Sequence, residues 1–196
     1  MATHEFSHLL LPYPGQDAIW LSEGLASYYQ NALRARQGIL SDKTAWQKLI
    51  EGLQRGQADN RHPQLRLDEI SPKMRMTRSF MRVYWSGVAY YLFVDVQLRQ
   101  ASQNQQSLDS VLAQFGRCCY PANGRMDSTA LIKKLDEVSQ TSFFSQAYTH
   151  FANSHQLPNP TPLLNKLGVH LSEGKVRYRE ATWAGVREAI MAADPP

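Results

Sequence analysis

Along most of this chain apolar residues recur at intervals of three and four, the spacing of amphipathic helices. Residues 3–11 predict a short apolar helix, stopped by the turn-forming run Pro12-Tyr13-Pro14-Gly15. A second helix is expected over about 18–37, with Gly38 where a C-terminal cap belongs. Ser41 and Asp42 offer an N-cap for a third, reaching about Leu53 and carrying Trp46, Leu49 and Ile50. Residues 54–72, polar and holding His62-Pro63 and Ser71-Pro72, read as a long loop. The longest pattern runs over about 75–100, where Phe80, Tyr84, Gly87, Tyr91, Val94 and Leu98 are spaced three or four apart. Shorter helices are expected from Ser107 to Phe115 and at about 128–139, 141–154 and 183–192, with a loop over 117–127. After Pro158, Pro160 and Pro162, strand character is confined to Val169-His170-Leu171 and Val176-Arg177-Tyr178. The fold class is therefore mainly α, a helical bundle with at most short strands near the C-terminus. Its parts are a helix pair over 3–40, a helical subdomain over 41–168 and a C-terminal extension over 169–196.

Composition narrows the function classes. With 43% hydrophobic and 19% charged residues, the 196-residue chain can bury an ordinary core, which excludes wholesale disorder. The net charge of +4 is mild and its basic residues are scattered, so no nucleic-acid partner is expected. The longest apolar run, Val88 to Val94, stops at Asp95 and is too short to span a bilayer, so no membrane partner is expected either. Cys118 and Cys119 are adjacent, and neighbouring residues seldom reach disulfide geometry; both read as small buried apolar groups rather than a redox pair. The compartment stays open.

The chemistry lies near the start. His4-Glu5-Phe6-Ser7-His8 is an H-E-x-x-H pattern, which on a helix puts both imidazoles on one face with Glu5 beside them. Downstream, Trp20-Leu21-Ser22-Glu23-Gly24-Leu25-Ala26-Ser27-Tyr28-Tyr29 places an acidic residue near the start of the next helix. His4, His8 and Glu23 together make the two-imidazole, one-carboxylate set of catalytic zinc sites, with a fourth position open to water. Ser27, one turn after Glu23, is placed to hydrogen-bond one of the imidazoles. His62, His150, His155 and His170 read as surface or capping residues, and Tyr28, Tyr29 and Trp20 as packing residues.

The H-E-x-x-H helix followed by W-L-S-E-G-L-A-S-Y-Y resembles the glycyl-aminopeptidase-type metallopeptidases. These are relatives of the leukotriene-hydrolase-like aminopeptidases in the gluzincin clan. The resemblance implies Zn2+ as cofactor, Glu23 as third ligand, Glu5 as general base and a peptide as substrate. It continues in Gln30 to Ser41 and in Tyr84-Trp85-Ser86-Gly87, which is similar to the family's Tyr-x-x-Gly segment. There the tyrosine stabilises the tetrahedral intermediate, a role that falls on Tyr84, with Tyr90 and Tyr91 as rivals by spacing. Weaker likeness extends through Ser107–Leu112, Phe115-Gly116, Phe143-Phe144 and Ala147-Tyr148, to about residue 168. Fourteen residues separate His8 from Glu23, a shorter connection than is usual in the clan. The family also has a β-rich region and a substrate-binding sheet ahead of this helix. The chain thus corresponds to the C-terminal half of a thermolysin-like catalytic domain. The expectations are low peptidase activity in isolation and self-association through the apolar surface left without that sheet. A non-catalytic helical interaction module derived from such a peptidase is the alternative reading.

Overall fold

A computed structural model of the chain describes residues 2–193. The chain is helical almost throughout. Helix α1 (Ala2–Ser7) runs into a 3-10 turn (His8–Leu10), and a second 3-10 turn (Gln16–Ala18) leads into α2 (Ile19–Arg36). Then come α3 (Asp42–Ala58), the short α4 (Leu67–Ile70) and α5 (Met74–Thr77), and the long α6 (Phe80–Ala101). Helices α7 (Leu108–Cys118), α8 (Ser128–Ser139), α9 (Phe143–Ala152) and α10 (Thr161–Leu167) follow. Strands β1 (Val169–Ser172) and β2 (Lys175–Tyr178) pair antiparallel, Val169 opposite Tyr178, before α11 (Ala184–Met191). Among the described residues no helix is long and apolar enough to cross a membrane.

Helix α6 is the axis of the bundle. It is buried on most faces, with Arg82, Asp95 and Arg99 carried inward among its apolar residues, and packs on α2 most extensively and then on α3. The approach to α2 is set by two glycines. A Cβ on Gly24 would lie 2.3 Å from the Gly87 Cα, and one on Gly87 would lie 2.1 Å from the Trp20 carbonyl oxygen. Only hydrogen fits at this crossing.

A charged cluster between the helices is paired, whereas the buried polar atoms of Trp20, Trp46, Ser86 and Tyr91 have no hydrogen-bond partner among the described residues. Arg36 of α2 makes a two-pronged pair with Asp109 of α7, at 2.8 and 3.0 Å. Arg99 of α6 reaches both Asp95 and Asp109, at 2.9 and 3.1 Å. The Tyr28 and Tyr29 hydroxyls donate to Asp95 and Asp109, and the Leu108 N–H donates to Asp95. Burial pushes the Asp95 carboxyl up, with Arg99 pulling against it. For Asp109 burial acts in the same direction, but Arg36, Tyr29 and Arg99 together outweigh it and hold that carboxyl below its ordinary value.

The structure differs from the sequence-based expectations at four places. Helix α3 continues to Ala58, and 67–77 is helical rather than loop, because Leu67, Ile70 and Met74 form a buried stripe. The long helix begins at Phe80 instead of 75, since Arg78 turns left-handed at φ 56°. The first helix ends at Ser7. Finally, Cys118 and Cys119 are joined in a disulfide, and Cys118 is exposed, which corrects their reading as buried apolar groups. The C-terminal residues are tied to the bundle: Arg36 Nε donates to the Ile190 carbonyl, and the Tyr178 hydroxyl donates to Asp42.

Gly87→Ala should cost about 3 kcal/mol by forcing α2 and α6 apart, read as a lowered urea midpoint with unchanged slope. Asp109→Ala, which strands Arg36 and half of Arg99's hydrogen bonding, should also cost about 3 kcal/mol in the same assay.

Candidate metal centre

Three elements build the centre. Helix α1 supplies His4, the 3-10 turn after it supplies His8, and the second turn of α2 supplies Glu23. Although the α-helix stops at Ser7, the two imidazoles remain neighbours, their ring centroids 5.0 Å apart and nearly perpendicular. The Nε2 atoms of His4 and His8 lie 3.4 and 3.8 Å from Oε2 of Glu23. One donor atom from each of the three residues falls within 4.8 Å of the others, and all three side chains are about one-fifth exposed. The donors are therefore partly sheltered by the protein yet exposed enough for a fourth group to reach them.

The connection between His8 and Glu23 decides this convergence. It turns at Gly15, whose φ of 92° suits glycine. The loop after α7 then grips it. The Tyr13 N–H donates to the Gly124 carbonyl, and the Met126 N–H donates back to the Tyr13 carbonyl. Arg125 lies over the Tyr13 ring, and the Tyr120 hydroxyl donates to the Leu11 carbonyl. The short linker is thus held in place from outside itself.

His8 has a hydrogen-bond partner at its other nitrogen, and it is not the expected one. Nδ1 of His8 lies 2.9 Å from Oγ of Ser22, whereas Ser27 is buried in the α2 packing face and its carbonyl accepts from Asn31. Ser22 went unnoticed because nothing but its adjacency to Glu23 marks it in the sequence. Its contact depends on how the 3-10 turn orients the His8 ring.

Tyr84 stands one turn before Gly87 on α6, and the glycine crossing brings it to Glu23. Burial, then the neighbouring Glu23 carboxylate, pushes its phenol up to about 12, with a smaller contribution from Glu5 and an opposing one from Arg75. A phenol so placed is a proton-bearing donor at any ordinary pH. The rivals are elsewhere: Tyr90 donates to the Phe144 carbonyl, and Tyr91 is wholly buried with its hydroxyl unpartnered. Glu5 is exposed and points no hydrogen bond at a protein group among the described residues. Phe6 and Leu9, beside it on the same segment, are each 69% exposed. Of the other histidines, His62 and His170 are half-buried and His150 and His155 exposed, and none belongs to a potential ligand cluster among the described residues.

Residues 13–107 match the family of M61 glycyl aminopeptidases. The matched span contains Glu23, Gly24, Tyr84 and Gly87 and begins after His8. Over it, the chain is similar to a family of peptidases. No curated protein matches the chain.

Proposed function

We propose that this chain carries the metal-binding and proton-transfer half of a zinc-dependent peptidase site, aminopeptidase-like in its chemistry. The observation that carries the reading is the convergence of His4, His8 and Glu23 to within 4.8 Å from separate elements. The donor set fits the ion. Tetrahedral zinc with ligands at about 2.0–2.1 Å separates its donor atoms by roughly 3.4 Å. The 3.4 and 3.8 Å separations found here lie close to that value. Two imidazoles and one carboxylate are the donors zinc takes in hydrolytic sites. The similarity of residues 13–107 to a peptidase family supports the same conclusion.

The ion, when bound, supplies Lewis-acid polarisation of the scissile carbonyl and acidification of a water molecule. The chain's own residues do the rest. Ser22 accepts the Nδ1–H of His8, fixing the tautomer whose Nε2 lone pair faces the donor cluster. Glu5, next to His4 and open to solvent, takes the proton of the attacking water and passes it to the departing amine. Tyr84, protonated and beside Glu23, donates a hydrogen bond to the oxygen on which negative charge develops. The exposed rim beside these groups admits an extended peptide.

Elemental analysis after dialysis against zinc should find one equivalent bound, falling below a tenth in Glu23→Ala; absence of zinc from the folded wild-type chain overturns the reading. Ser22→Ala should weaken zinc binding about 10- to 100-fold in a chelator competition. In a hydrolysis assay on small aminoacyl amides, Glu5→Gln should remove activity while retaining zinc, and Tyr84→Phe should lower kcat about 10²- to 10³-fold. Zinc bound without turnover that Glu5→Gln removes would point instead to the helical interaction module.

A further inference from the structure

A second chemical group stands close to the metal centre without belonging to it. The Cys118–Cys119 disulfide lies at the junction of α7 and the loop that grips the His8–Glu23 connection. Cys118 is exposed and Cys119 half-buried. The residues that follow make the grip: Tyr120 packs on Phe115 and donates to the Leu11 carbonyl, while Gly124 and Met126 pair with both backbone groups of Tyr13. Leu11 stands three residues beyond His8. Nine residues, Cys118 to Met126, therefore run from an accessible disulfide to the last strap on the segment that positions a metal-binding imidazole.

We propose that Cys118–Cys119 is a thiol-exchange site for small dithiols, and that its redox state sets how firmly the 120–126 loop holds the metal-binding segment. The balance is that of ordinary exchange. An external thiolate attacks Sγ of Cys118, the more exposed of the two residues, the sulfur–sulfur bond breaks, and Cys119 leaves as a thiolate that takes a proton from water. The reductant's second thiolate then attacks its own sulfur in the mixed disulfide, releasing the Cys118 thiol and a disulfide of the reductant. Two electrons enter the protein and the dithiol is oxidised. In the oxidised form the bond between adjacent residues removes backbone freedom at the root of the loop. In the reduced form that freedom returns, and ordering Leu11–Tyr13 costs more conformational entropy each time the metal ligands assemble. Oxidised protein thus holds the centre preassembled, and reduced protein does not.

The metal arm of this inference rests on the zinc reading above; the exchange arm does not. The test compares oxidised protein with protein reduced by a water-soluble phosphine and desalted, so that no added thiol competes for metal, with iodoacetamide-blocked reduced protein excluding zinc capture by the freed cysteines. Thiol titration should find no free thiols before reduction and two after. Amide hydrogen exchange at Tyr13 and Met126 should be at least tenfold faster in the reduced form, with α2 and α6 unchanged. Zinc competition should show affinity lowered severalfold on reduction. The Cys118→Ser/Cys119→Ser variant should match the reduced form and ignore the phosphine; circular dichroism equal to wild type shows that it is folded. Two free thiols in air-oxidised protein, or equal exchange at Tyr13 and Met126 in both states, overturns the proposal. If neither state binds zinc, the zinc reading fails while the exchange measurement still decides the loop. Zinc binding of equal strength in both states, with faster exchange on reduction, overturns the coupling to the metal centre.

Discussion

The carboxylate and the phenol of the candidate site depend on one close approach, that of Gly24 on α2 to Gly87 on α6. With any side chain at either position, a Cβ would sit about 2 Å from backbone atoms of the facing helix. Glycine at both lets the two longest helices of the fold cross backbone to backbone. Glu23 is the residue before one glycine, and Tyr84 lies one turn before the other. The crossing that packs the core therefore also places a carboxylate against a phenol at the bundle surface. Packing and chemistry share a single constraint, and the ionic cluster of Arg36, Asp95, Arg99 and Asp109 holds the far end of the same helices in register.

The remaining ligand candidates reach the site by a less rigid route. His4 and His8 belong to a short helical segment at one edge of α2, and α1 is too brief to be stable by its own hydrogen bonding. Its position is owed to contact with α2, to the Ser22 hydroxyl at His8, and to the loop after α7 that straps Leu11 and Tyr13. A metal ion bridging α1 and α2 would add the bond that this segment otherwise lacks. Metal binding, as proposed, would thereby be linked to local folding in this part of the molecule.

Much of the fold was legible in the periodicity, because its helices are long enough for a stripe to declare itself. The spans of α2, α8 and α9, the Ser41 cap and the C-terminal hairpin agree with the pattern to within a residue or two. The pattern failed where a few residues decide. Over 67–77 the buried stripe is only three residues long and is interrupted by Pro72, so it looked like loop. The start of α6 was misplaced because a single left-handed residue, Arg78, ends one helix in the middle of an unbroken helical period. The cysteines were misread on a general preference against bonds between neighbours, which the backbone around Cys119 does not share.

From residue types and spacing alone came the mainly helical class, the pairing of His4 with His8 by the i,i+4 rule, and the candidacy of Glu23 and Glu5, while Tyr84 was singled out by the resemblance of its Tyr-x-x-Gly segment. These follow from local rules, in which each residue's role depends on neighbours within one or two turns. Convergence was beyond them. That Oε2 of Glu23 lies within 4 Å of both imidazoles, that Tyr84 rather than Tyr90 or Tyr91 faces it, and that Ser22 rather than Ser27 meets His8 all depend on how helices dock. Docking is set by contacts between residues more than fifty positions apart, such as Gly24 with Gly87, and by a loop one hundred residues downstream of the turn it holds. A one-dimensional period carries no information about either distance.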